Sequence, residues 1–164
     1  MTREILFKAK RKDNGEWVEG YYIYHIKRTI CPFGDSVKPE DEQHVIMQDG
    51  FSDWNMPRGT VVYEIDQETL CQYTGLTDKN GKKIWENDIV RYTFDYPSET
   101  ATENGLKERI SSVFWSEWRG SWSVYADERK GKGMNNDLFK YARNGNTVEV
   151  IGNIFDDKEL LEVE

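Results

Sequence analysis

The sequence predicts a mainly β fold: an N-terminal β-hairpin region over residues 1–75, then a small β-barrel over residues 76–164, with one or two short helices. Three observations predict it. Aromatic and β-branched residues gather in short runs that alternate with polar ones, as half-buried strands require. Those runs are separated by Asn, Asp, Gly and Pro, the residues that make tight turns. No long segment repeats its apolar residues at the helical period. At 164 residues the chain can build one sizeable core, and we expect a single compact unit.

In chain order, Ile5 to Lys10 and Trp17 to His25 flank Asp13, Asn14 and Gly15, which tolerate positive φ; this is an opening hairpin. Lys27 to Asp49 mixes Pro32, Gly34, Pro39 and acidic residues and reads as loop around a short strand, Val45 to Met47. Gly50 to Gly59 is another loop. Thr60 to Ile65 alternates Val61, Tyr63 and Ile65 against Val62 and Glu64, the pattern of a half-buried strand. Asp78, Asn80 and Gly81 form a turn, and Ile89 to Phe94 is a strand. Pro97 to Glu108 is polar and without period, a mobile loop. Ile110 to Trp118 and Trp122 to Ala126 flank Arg119, Gly120 and Ser121 as a second hairpin. Asn135 or Asn136 caps a short helix that carries Leu138, Phe139 and Ala142 and stops at Asn144 and Gly145. Val148 to Phe155 is a final strand, after which Asp156 caps a brief turn that docks Leu160 and Leu161.

Composition narrows the function classes. Apolar residues make up 37% of the chain, but aromatics reach 13%, with six Trp and nine Tyr, so a packed core is within reach. A formal charge of −8 disfavours non-specific contact with the phosphate backbone of nucleic acids. Local basic groups at Lys8, Lys10, Arg11 and Lys12, and at Arg129, Lys130 and Lys132, keep a nucleic-acid site open; the alternative is a solvated strand edge guarded by lysines. Cys31 and Cys71 form no CxxC pair, and neither a secretory leader nor a bilayer-length apolar run is visible. The expectation is a cytoplasmic protein with reduced thiols and no membrane contact.

Within Thr69 to Val90, the run QYTGLTDKNGKKIWENDIV resembles the central signature of the YopX family. Ile5 to Tyr21, with Asn14, Gly15, Trp17, Val18 and Gly20, is similar to the family's first hairpin, and EVIGNIFDDKELL, Glu149 to Leu161, to its closing strand and tail. Asn87 stands where the family's turn carries glycine, a change that left-handed backbone tolerates. The segments Lys27 to Asp53 and Pro97 to Glu108 match nothing in it. The resemblance implies a mainly β, barrel-containing fold and a phage or prophage origin in a bacterial host. It brings no activity, no cofactor and no catalytic residues.

Several constellations were weighed on their chemistry. His25, Cys31, His44 and Cys71 are residues of the right types for zinc, but they lack paired ligand spacing, so buried thiols and surface histidines are the better reading. Asp78, Asn80, Gly81, Glu86 and Asp88 hint at calcium, yet the glycine is misplaced for an EF-hand and a reverse turn explains them. Asp127, Glu128 and Lys130 resemble part of a nuclease cluster only because 30 carboxylates make such matches cheap. Gly131 and Gly133 around Lys132 lack the strand and helix that a phosphate loop needs. Neither cysteine sits in a catalytic context.

One feature suits binding by stacking. Trp115, Trp118, Arg119, Trp122 and Tyr125 cluster on the second hairpin, with Trp115 and Tyr125 expected near each other across the strands. Core packing or an oligomer interface competes for the same residues. The leading expectation is a non-enzymatic accessory protein that binds a host or phage protein and forms homo-oligomers. A nucleic-acid-binding barrel using Lys8, Lys10, Arg11, Trp118 and Arg119 is the alternative, and a metal-dependent hydrolase the third class.

Overall fold

Strand β1 (Phe7–Lys10) pairs with β2 (Trp17–Ile26) so that Ala9 lies opposite Val18, forming the opening hairpin. Its turn needs one left-handed residue, and Gly15 supplies it at φ 72°. A computed structural model describes this fold at residues 4–93, 101–102, 105–106, 108–125, 135–143 and 147–162. The chain forms two compact units, residues 2–72 and 73–164.

In the first unit, β3 (Glu42–Asp49) pairs with β2, and β4 (Thr60–Glu64) pairs with β3. β3 is longer than the Val45 to Met47 core expected of it. Its polar ends gain strand geometry from their neighbours: His44 lies opposite Tyr24 with the rings 5.0 Å apart, and Gln48 lies opposite Val61. Tertiary pairing overrides weak local propensity here. The four strands curl until the end of β4 meets the first hairpin. Ile65 bridges to Arg11, Lys12 N–H donates to Glu64 O at 3.0 Å, and Asp66 N–H donates to Lys10 O at 2.8 Å.

Inside the curl, Ala9, Val18, Ile46 and Ile65 form a small core lined by Phe7, Tyr22, Tyr63 and Leu70. The alternation expected of Val61, Tyr63 and Ile65 is present, with Val62 and Glu64 turned outward. Gly20 is required by close approach, since a Cβ there would lie 2.3 Å from the Met47 carbonyl oxygen. The start of β5 (Cys71–Thr77) pairs with β1 through Gln72 and Cys71.

In the second unit, the end of β5 pairs with β6 (Lys83–Trp85). β7 (Asp88–Thr93) is the central strand of a sheet between β10 (Glu108–Ser112) and β14 (Glu149–Asn153). A second sheet orders β11 (Phe114–Ser116), β12 (Ser121–Tyr125) and β13 (Asn135–Asp137). Helix α1 (Leu138–Arg143) follows β13 directly. The expected loop Pro97 to Glu108 contains a two-stranded ladder, β8 (Ala101–Thr102) with β9 (Gly105–Leu106); its residues 97–100, 103–104 and 107 lie outside the described residues.

The two sheets and α1 enclose one core of Ile84, Val90, Tyr92, Val113, Trp122, Val124, Leu138, Tyr141, Ala142 and Val148. Tyr92 and Tyr141 rings meet at 4.7 Å, and the Tyr92 hydroxyl donates to the Tyr125 carbonyl. Among the described residues the sheets do not close into the expected barrel. Val113 breaks the strand instead: its N–H donates to Asp88 O and its C=O accepts from Asn87 N–H, each at 2.8 Å, so the chain turns from one sheet to the other. At the seam, Tyr125 N–H donates to Ser111 Oγ rather than to a backbone carbonyl.

The motif Thr74 to Asp88 is occupied in holding backbone. Asp78 is buried; its Oδ1 accepts from Asn80 N–H at 2.8 Å and Lys82 N–H at 2.9 Å, and its Oδ2 accepts from Val150 N–H at 3.1 Å. Buried Asp88 accepts from Trp85 N–H at 2.8 Å. Asn87 takes φ 65°, which asparagine tolerates in place of glycine. In the Asp78 turn only Gly81, at φ 80°, is left-handed; Asn80 keeps ordinary backbone because its N–H is needed by Asp78.

Two expectations at the C-terminal end change. The α1 cap is Asp137, whose Oδ1 accepts from Phe139 N–H at 3.0 Å, because β13 runs through Asp137 and the helix begins only at Leu138. The helix stop at Asn144 and Gly145 lies outside the described residues. In the tail, Lys158 to Leu161 form a 3-10 turn that buries neither leucine, and Asp157 accepts from Asn153 N–H at 3.1 Å. Asp157 packs where a Cβ on Gly152 would come within 2.6 Å of its Oδ2, so this glycine is also required by contact.

Asp78→Ala removes a buried carboxylate that satisfies three backbone donors and is expected to lower stability by about 3 kcal/mol. Asp78→Asn keeps the two bonds inside the turn and loses only that to Val150, at a cost of about 1 to 2 kcal/mol. Urea unfolding followed by tryptophan fluorescence reads both as shifts of midpoint at constant slope.

Candidate functional site

The β11–β12 hairpin divides the five residues singled out on it. Trp115 lies directly opposite Trp122, so both share one face; their rings meet edge to face at 5.1 Å. Trp122 is 7% exposed and belongs to the core, while Trp115 sits at its rim, 44% exposed. Tyr125 is on the other face, stacked on Phe114 at 4.3 Å. The expected Trp115–Tyr125 contact is not made: Trp115 pairs with Trp122, three residues before Tyr125, and an odd offset exchanges the faces of a strand. Trp118 projects from the turn, 84% exposed, with the Arg119 guanidinium 5.2 Å from its ring centre. That turn is fixed by Gly120 N–H donating to Ser116 O at 2.8 Å. The hairpin thus offers one aromatic–cation pair, not a stacking platform of four rings.

Lys8, Lys10 and Arg11 belong to the first unit. Lys8 and Lys10 Nζ lie 5.1 and 5.5 Å from the Trp17 ring, a cation–aromatic contact along one strand face. Arg11 stacks over Tyr63 at 4.2 Å and forms a two-bond pair with Asp13, while Lys12 Nζ meets Glu64 at 2.8 Å. Much of this basic group is thereby offset by carboxylates from its own hairpin and from β4. Arg129, Lys130 and Lys132, the acidic cluster of Asp127 and Glu128, and Gly131 and Gly133 lie outside the described residues.

The zinc-type residues have other partners. Tyr22 hydroxyl and His44 Nδ1 are 2.7 Å apart, and His25 Nε2 is 2.5 Å from Gln43 Oε1. Cys71 is buried, its thiol donating to Thr69 O, whereas Cys31 is exposed. Among the described residues no three His, Cys, Asp or Glu converge as metal ligands.

Sequence reading missed the largest exposed apolar side chains, which stand on loops of the first unit. The β3–β4 loop carries Phe51, Trp54 and Met56, which are 91%, 92% and 64% exposed. It is nonetheless built: Gly50 N–H donates to Gly59 O at 2.8 Å, Met56 N–H donates to Asp53 O at 3.1 Å, and Ser52 Oγ lies 2.9 Å from the Met56 carbonyl. Asn55 adopts φ 65°, and Arg58 pairs with Asp49 at the loop's base, 3.1 Å apart. The signal was available: three large apolar residues in a Gly, Pro and Asn segment have no strand or helix to bury them.

A second loop, Lys27 to Asp41, presents Phe33, also highly exposed. Its clamp is Arg28, with Nη1 2.7 Å from Asp35 and Nε 2.7 Å from Asp41. The guanidinium holds both carboxyls below their ordinary range, Asp35 down to about 2, helped by the Cys31 and Ser36 N–H groups.

An antiparallel β protein in two units, with buried carboxylates bracing its turns and large aromatics on its exposed loops, is the class that this fold and surface define. The family model described as "YopX protein" matches residues 6–162, and the chain belongs to the YopX family. The crystal structure of protein EF1440 from Enterococcus faecalis is similar at 20% identity and a TM-score of 0.46, covering 98% of this chain and 99% of that one. No curated protein matches the chain.

Two measurements check this dissection. Trp122→Ala should cost about 3 to 5 kcal/mol of stability, and Trp118→Ala less than about 0.5 kcal/mol, as read by chemical unfolding. For Asp35, a folded pKa below the usual 3.8 means that its stabilising contribution is complete above that value and is lost as pH falls towards about 2. A carboxyl NMR titration should show a midpoint near 2 that moves back towards 3.8 in Arg28→Ala.

Proposed function

We propose that this chain is a phage- or prophage-encoded accessory protein of the host cytoplasm that works by binding a protein, without catalysis. The observation that carries the reading is the placement of large apolar side chains, Trp54 and Trp118 foremost, on turns held by their own hydrogen bonds. Ordering such a turn in advance lowers the entropy lost on association, and exposed tryptophan is the side chain most often found at the energetic centre of a protein interface. A charge of −8 works against a polyanionic partner and against crowding copies of the chain together. No helix of the described residues is long and apolar enough to cross a membrane.

A nucleic-acid-binding reading draws on one specific observation, the Arg119–Trp118 pair at a hairpin tip, which could stack on an unpaired base. It predicts binding that weakens steeply with salt and depends on both residues. The offset charges of Arg11 and Lys12 weigh against it.

Recovering the tagged chain from bacterial cells that express it, with and without nuclease, separates the two. The expected result is a specific protein that stays bound after nuclease treatment. Partners that disappear with nuclease, or an RNA or DNA ligand lost on Trp118→Ser with Arg119→Ser, would support the nucleic-acid reading instead.

A further inference from the structure

We propose that the β3–β4 loop is a docking finger for a protein other than this chain, one that offers an apolar pocket with a basic rim. The proposal rests on the protein-binding reading above and names its contact. Phe51 and Trp54, both about nine-tenths exposed, leave on the order of 400 Å² of apolar surface in water. Met56 extends that surface at the tip. Below the loop's base, where Asp49 faces Thr60, the next outward row on this face of the sheet is Tyr21, Met47 and Val62, paired across three strands. Tyr21 and Val62 are each more than half exposed. Finger and row together approach the ~800 Å² that one partner contributes to a stable protein interface. Single exposed apolar residues need no explanation, but several on one loop above an exposed apolar row do.

Shape and charge then choose the occupant. Phe51 and Trp54 stand almost wholly in solvent on a loop preformed by the Gly50–Gly59, Asp53–Met56 and Ser52–Met56 hydrogen bonds, so their counterpart is a pocket rather than a flat surface. Its one cation, Arg58, is paired with Asp49, and Asp53 at the tip adds negative charge. This leaves nothing to attract phosphates, and a chain of charge −8 repels its own copies. A basic rim around an apolar pocket complements both features.

The test places the photocrosslinker p-benzoyl-phenylalanine at position 54, and separately at position 118, in the full chain inside expressing cells. The expected result is a crosslink from position 54 to a distinct protein. Titrated in purified form against that protein, Phe51→Ser with Trp54→Ser should raise Kd by about 100-fold or more. Asp53→Lys should raise it by about 3- to 10-fold. Unchanged melting curves would show that these exposed substitutions leave the fold intact. Crosslinks at position 54 to a second copy of the chain, to nucleic acid or to lipid would overturn the finger, as would a Kd that ignores the double substitution. A Kd lowered by Asp53→Lys would overturn the basic rim. A protein reached only from position 118 would sink the finger and leave the protein-binding reading standing; no protein from either position would remove both.

Discussion

The second unit depends on what the Asp78 carboxylate does. One side chain, buried and accepting three backbone N–H groups, closes the turn after β5 and ties that turn to β14, 72 residues further along. Lys79 N–H reinforces the tie by donating to Val148 O at 2.9 Å. A short polar turn on the surface would tolerate many sequences; one that must deliver two donors inward and share its acceptor with a distant strand tolerates few. The Asn87–Asp88 corner works the same way, exchanging backbone bonds with Val113 on one side and accepting from Ile154 N–H on the other. Together the two corners set where β7 lies between β10 and β14, and hence where the core aromatics meet.

The segments that mark the family brace the fold. Their carboxylates Asp78, Asp88 and Asp157 are used on backbone groups, and their glycines, Gly20 and Gly152, on contacts that leave no room for a Cβ. The most exposed aromatic side chains, Phe33, Phe51, Trp54 and Trp118, lie outside those segments, on the Arg28-clamped loop, the β3–β4 loop and the tip of the second hairpin. In this family member the bracing turns and the most exposed aromatics occupy different parts of the chain.

The charges follow the same division. Arg11, Lys12, Arg28 and Arg58 each pair with a carboxylate of their own unit, bracing a hairpin or a loop. Exposed pairs of this kind add little stability singly, but each orients a turn that presents an aromatic ring or flanks one. Around these pairs stand large exposed apolar groups, in a chain of net charge −8.

The sequence by itself determined the fold class, the first and second hairpins, the alternation of β4 and the family, because each rests on local period, turn chemistry or a long contiguous motif. It placed the tryptophans on the right hairpin but not on the right faces. Facing is set by register, and the pairing of Trp115 with Trp122, three residues before Tyr125, put Tyr125 on the opposite face and Trp122 in the core. The length of β3, the open seam where a barrel was expected and the cap at Asp137 were decided by partners distant in the chain. So was the exposure of Phe51, Trp54 and Met56: an apolar residue in a loop is buried or presented according to what the folded chain brings over it, and only the tertiary structure shows that these loop residues remain uncovered.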